Sequence, residues 1–309
     1  MKKALIIAAA LLLCAGAAAQ SDAASFRNRY ESQVRVVGAG GLGVEGILDR
    51  WEAAFPEDPA VWEARYKFWM AKSLSTEVVA KPQAKYLGND PVLTLKDTTG
   101  RDIRYFEVNV FADSLFSNAV TAIDRAVELA PEDIAYRIDK ITALMLYENE
   151  SPDMAKSELL GLIEYNRTRK PAWTYYGQPL GEGVFDSTVQ EYCWNFFRMG
   201  TTGSYEAFRE VSETMLKINP KDVAFMNNLG SYYLVAKGNS KKAIKWYNKV
   251  LKIAPGDYNA AKNCVVLARK DKNVKLEKKY LPLLIKATDS DSERMAAQAR
   301  LDSMNAEKK

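Results

Sequence analysis

The chain has 309 residues, 48% of them hydrophobic and 27% charged, so a packed core is affordable and disorder is not the default. It contains no histidine, which excludes Ser-His-Asp and Cys-His nucleophile systems, histidine-bearing zinc sites and imidazole acid–base chemistry. Its charge is divided: Gln20 to Pro220 carries 22 basic and 30 acidic residues, whereas Lys221 to Lys286 carries 15 and 4.

In chain order, the first segment reads as a targeting element. Lys2 and Lys3 precede an apolar stretch, Ala4 to Leu13, and Ala17-Ala18-Ala19 offers small residues for a peptidase. We read residues 1–19 as a signal peptide and the remainder as exported, in the periplasm. No later apolar run is long enough for a transmembrane segment. Cys14 lies where a lipoprotein would carry its acylated cysteine, but Leu13 stands where that processing prefers a small residue. An outer-membrane lipoprotein is therefore the lesser reading. Cys193 and Cys264 fall inside helical patterns and read as small core residues.

Val34 to Gly43 contains a G-x-G-x-x-G run after the strand-like Val34-Arg35-Val36-Val37, which invites a nucleotide-binding reading through Gly38–Gly43. That motif has meaning only between a strand and a helix of a βαβ unit. Here Phe26, Tyr30, Val34 and Val37 fall at helical intervals, so the glycines are expected to form a turn between antiparallel helices.

One punctuation mark then recurs: Pro56-Glu57-Asp58, Pro131-Glu132-Asp133, Pro220-Lys221-Asp222 and Pro255-Gly256-Asp257. Proline ends one helix and the aspartate two residues on can cap the next. Upstream of each proline, positions repeat at fixed offsets: Val44, Leu48 and Trp51; Ala119, Ile123 and Ala126; Phe208, Ser212 and Met215; Ala243, Tyr247 and Val250. Downstream, Trp62, Arg65, Tyr66 and Trp69, and likewise Met226, Leu229, Gly230 and Tyr233, share one helical face. Pro220 and Pro255 are 35 residues apart, while the longer gaps require insertions. One insertion, about 75–110, holds β-prone runs around Thr98-Thr99-Gly100 and predicts a β-hairpin. The other, about 166–183, lacks a helical period and puts Trp173, Tyr175 and Tyr176 on a long loop, where they are candidate anchors for a partner.

Leu229-Gly230, Tyr233, Ala243, Tyr247 and Pro255 resemble the tetratricopeptide repeat, with Met226 in place of its tryptophan. The resemblance implies an all-α fold, a TPR-like α-solenoid of about six helical hairpins: 23–55, 59–130 with the β-hairpin insert, 133–165, 184–218, 221–253 and 257–287. A polar capping helix near 290–307 would close one domain spanning 20–309. In this family the first helix of each repeat lines a concave groove, which places Glu63, Lys67, Met70, Asn227, Ser231 and Leu234 there. The function implied is a non-enzymatic protein- or peptide-binding scaffold of the periplasm, with no cofactor, no metal and no nucleic-acid partner. The basic C-terminal repeats suggest an acidic partner. The other readings are a glycan-handling surface lipoprotein and a nucleotide-binding enzyme through Gly38–Gly43.

Overall fold

The computed structural model describes residues 23–306. The expected signal peptide, with Cys14, lies outside them. The fold is all-α apart from two small sheets, and it divides into two compact units: one comprises the chain to Asn149 together with Arg169–Gly181, the other Glu150–Thr168 together with the chain from Glu182. No helix among the described residues is long and apolar enough to cross a membrane.

The first unit begins with a helix over residues 23–37 (α1), then α2 (Val44–Ala54), α3 (Pro59–Ser73), α4 (Asp113–Leu129) and α5 (Ile134–Glu148). Val34 to Val37 is the end of α1, and the glycine run is the turn into α2. Gly38 and Gly43 both take φ of 79°, a left-handed conformation that costs glycine little. The Gln33 side-chain amide donates to the Leu42 carbonyl at 2.7 Å and fastens the turn to α1. Tyr30, Val44, Leu48, Trp51, Val61, Ala64 and Phe68 form a core between α1, α2 and α3.

Each proline-aspartate mark does what its chemistry allows. The carboxylates of Asp58, Asp133, Asp222 and Asp257 accept from the N–H groups of Ala60, Ala135, Ala224 and Ala260 at 2.8–3.1 Å, capping four helices. Asp58 also receives the Trp51 indole N–H at 3.2 Å, which ties the cap to the preceding helix. Arg65, buried on α3, is neutralised by Asp49 at 2.5 Å and Glu52 at 2.8 Å on α2.

The first insertion is larger than the expected hairpin. Its strands β2 (Leu93–Lys96) and β3 (Asp102–Phe111) flank the Thr98-Thr99-Gly100 turn, but β1 (Leu74–Lys81) pairs with β3 along its whole length, from Leu74↔Phe111 to Lys81↔Arg104. The order is β1-β3-β2, antiparallel throughout. The extra strand escaped sequence reading because Leu74–Lys81 follows α3 without a break and lacks clean alternation. The chain leaves and re-enters the helical hairpin at one place, where Ala112 N–H donates to the Ser73 carbonyl at 2.8 Å.

The second unit contains α6 (Asp153–Arg169), α7 (Val184–Met199), α8 (Thr202–Ile218), α9 (Val223–Val235), α10 (Ser240–Ile253), α11 (Tyr258–Lys270), α12 (Val274–Ala287) and α13 (Asp291–Ala306). Helix α6 runs past the expected boundary at residue 165, because no breaker occurs before Pro171 and Arg167 and Thr168 bond back to Glu164. Met226, Ala243, Tyr247, Val250, Ala261, Cys264, Tyr280 and Leu281 form the core of α9 to α12. Gly230 is where α9 meets α10: a Cβ there would stand 2.4 Å from the Tyr247 ring. Helix α13 buries only Ala297 and Met304, as a polar cap requires. The carboxylate of Glu277 on α12, itself buried, pairs with Arg269 at 2.7 Å and with Arg300 of α13 at 3.2 Å.

Candidate functional site

In the first unit, Glu63, Lys67 and Met70 occur four and three residues apart on α3 and so share a side of that helix. Glu63 and Lys67 form an ion pair. Lys67 and Met70, with Tyr30, Val34, Tyr66 and Asp139, line an open cleft of about 680 Å³. The second insertion folds back onto this region instead of standing free. Its short strands β4 (Thr174–Tyr175) and β5 (Gln178–Pro179) make a tight turn. The N–H groups of Tyr176 and Gly177 donate to the two oxygens of Asp133 at 3.0 and 2.7 Å, so one carboxylate caps α5 and holds the turn. Tyr176 then lies with Lys67 5.8 Å from its ring centre and its hydroxyl 3.5 Å from Asp139 Oδ2.

The three aromatic residues of that insertion therefore differ in environment. Trp173 is buried, with the Arg137 guanidinium 5.9 Å from its ring centre. Tyr175 and Tyr176 remain partly exposed and pack edge to face. Burial and the neighbouring Glu63 carboxylate push the Asp139 carboxyl up to about 6, against the opposing pull of Lys67 and the Tyr176 hydroxyl. Burial likewise raises the Tyr30 hydroxyl to about 12.

In the second unit, Asn227 and Ser231 lie on α9 in a groove of about 400 Å³ whose other walls come from α7 and α11. Leu234, by contrast, packs against the core of this unit. The groove is completed by Gln190, Trp194 and Phe197 on α7, the two aromatics being ones whose sequence pattern suggested packing between hairpins, and by Asn259 and Asn263 on α11. Gln190 and Asn228 exchange amide hydrogen bonds at 3.0 and 2.8 Å and satisfy one another. The Asn227 amide nitrogen donates to Asp257 Oδ2 at 3.2 Å, while its buried oxygen Oδ1 has no partner. Trp194 is 56% exposed and stacks on Phe197 at 6.2 Å with an interplanar angle of 25°. Among the described residues, Asp257 is the one charged residue lining this groove, which contains carboxamides, a hydroxyl and an aromatic platform but no cation. Such a wall can hydrogen-bond peptide groups in either sense and accept a ring or aliphatic side chain on Trp194.

Comparison with known families places a tetratricopeptide repeat at residues 223–257, the α9–α10 hairpin with both of its proline-aspartate marks close by. The match covers this one hairpin of the chain. No curated protein matches it. Among solved structures it is similar to the type III secretion translocator chaperone SycD of Yersinia enterocolitica, at 14% identity over 42% of this chain and 89% of that one, TM-score 0.34. It is also similar to PilF of Pseudomonas aeruginosa, at 13% identity over 63% and 79%, TM-score 0.39. A third likeness is to YrrB, a tetratricopeptide-repeat protein with an unusual peptide-binding site, at 15% identity over 60% and 85%, TM-score 0.35.

Proposed function

We propose that the protein is an exported, non-enzymatic scaffold that holds a segment of a partner protein in the α7–α9–α11 groove. The observation that carries this reading is Trp194, a large aromatic left exposed over a wall of carboxamides. Burying such a surface on a partner is favourable, and aromatic residues of this kind commonly dominate the energetics of interfaces. The lining also argues against a clamp for a chain-terminal carboxylate, which needs lysine or arginine, and favours an internal, uncharged or weakly basic stretch. Lys67 and Met70, in the cleft of the first unit, with Glu63, Tyr175 and Tyr176 beside them, form a second contact region, already partly occupied by the chain's own turn.

Capture from periplasmic extract, comparing the wild-type protein with Trp194→Ala, tests the reading. The wild type is expected to recover a discrete protein that the variant loses. Recovery of the same protein by both would remove the groove from consideration. Protection of Trp194 by soluble glycan, with no protein recovered, would support the glycan-handling alternative instead.

A further inference from the structure

The basic charge of the second unit is concentrated on α10. Lys241, Lys245, Lys249 and Lys252 recur at intervals of four, four and three residues, and so form one stripe; the helix contains no acidic residue at all. Three other lysines of this unit have carboxylate partners: Lys156 with Glu210, Lys237 with Glu206 and Lys262 with Glu293. None of the stripe lysines makes an ion pair among the described residues. Lys249 stands 3.5 Å from the Trp246 ring centre, and its ammonium is held below the ordinary lysine range by burial and then by Lys245.

Beside the stripe is an apolar pocket of about 430 Å³ formed by Leu216, Pro220, Met226, Trp246 and Ile253, with Lys249 and Lys252 as its cationic lining. Ile218 and Ile253, at the ends of α8 and α10, are both more than 40% exposed. The apolar surface here is concave, while Lys241, Lys245 and Lys252 are exposed and Lys249 is half-buried at its edge. A bilayer would need apolar groups that protrude; a recess accepts one offered by a partner.

We propose that this face binds an acidic peptide segment that seats one apolar side chain in the Trp246–Ile253 pocket and pairs its carboxylates with Lys245, Lys249 and Lys252. The pocket supplies desolvated contact and the lysines supply steering and register, an arrangement in which charge governs encounter and apolar burial governs lifetime. This surface is distinct from the α7–α9–α11 groove and does not depend on it.

Fluorescence anisotropy with the full chain and a labelled peptide of glutamate and aspartate around one phenylalanine provides the test. Saturable binding is expected, weakened at least about tenfold in Lys245→Gln/Lys249→Gln/Lys252→Gln and severalfold when the peptide phenylalanine becomes serine. The glutamines keep the helix exposed and polar, and circular dichroism checks that the variant is folded. Trp194→Ala should bind the peptide as the wild type does. The proposal is overturned if the wild type shows no saturable binding, if the triple variant binds unchanged, or if Trp194→Ala loses binding. It is equally overturned if vesicles of phosphatidylcholine and phosphatidylglycerol compete through the same lysines while the phenylalanine has no effect.

Discussion

The Asp139 carboxyl, in the cleft of the first unit, is raised to about 6, first by burial and then by the like charge of Glu63. An unfolded chain would titrate it near 4, so between roughly pH 4 and pH 6 the native state binds more protons and stability falls as pH rises through that window. Asp139→Asn removes the charge and should stabilise the protein at pH 7.5 by on the order of 2 kcal/mol, with little gain near pH 4, measured by urea denaturation. Equal effects at both pH values would show that the carboxyl is unperturbed. Cys193 and Cys264 are buried and unbridged, and burial raises both thiols to about 12. Both should resist a soluble disulfide reagent until denaturant is added; rapid native labelling would contradict their burial. Gly230 offers a third residue-level test. Alanine is ordinarily the better helix former, yet here its methyl would meet the Tyr247 ring, so Gly230→Ala should cost about 1–3 kcal/mol.

Among elements, the helical hairpins were legible because their boundaries are written in proline and aspartate, residues whose chemistry is local. Replacing Asp222 or Asp257 by alanine should cost about 1 kcal/mol each, read as a fall in the denaturation midpoint. The β insertion was legible in position but not in strand number, since pairing between Leu74–Lys81 and Asp102–Phe111 is a long-range choice. Because the insertion enters and leaves at the Ser73–Ala112 hydrogen bond, excising residues 75–110 through a short glycine-containing turn should leave α3 and α4 paired. A folded variant with its helical circular dichroism retained is expected; loss of the cooperative transition would show that the sheet is part of the core. The groove residues Trp194, Gln190, Asn259 and Asn263 were hidden because exposure cannot be read from one helix. Trp194 shares α7 with Tyr192 and Phe196, which are buried, and only packing distinguishes them. Their one available signal was polar amides recurring on successive first helices.

For the whole molecule, the charge division seen in the sequence acquires a location. The lysines of the second unit are densest on a second helix of a hairpin, α10, whereas the groove formed by the first helices α7, α9 and α11 has no cation in its lining. One chain can thus offer a groove lined with amides and one carboxylate, and a cationic face, to different ligands. Under the proposals above, the acidic partner expected from the sequence would meet the second surface, and a peptide segment the first. The most direct test of the groove is photo-crosslinking from a benzoylphenylalanine placed at Trp194, with the same group at exposed Met295 on α13 as the control. In periplasmic extract, position 194 should yield a discrete protein adduct that position 295 does not. Absence of any protein adduct at 194, or the same adducts from both positions, would contradict the account.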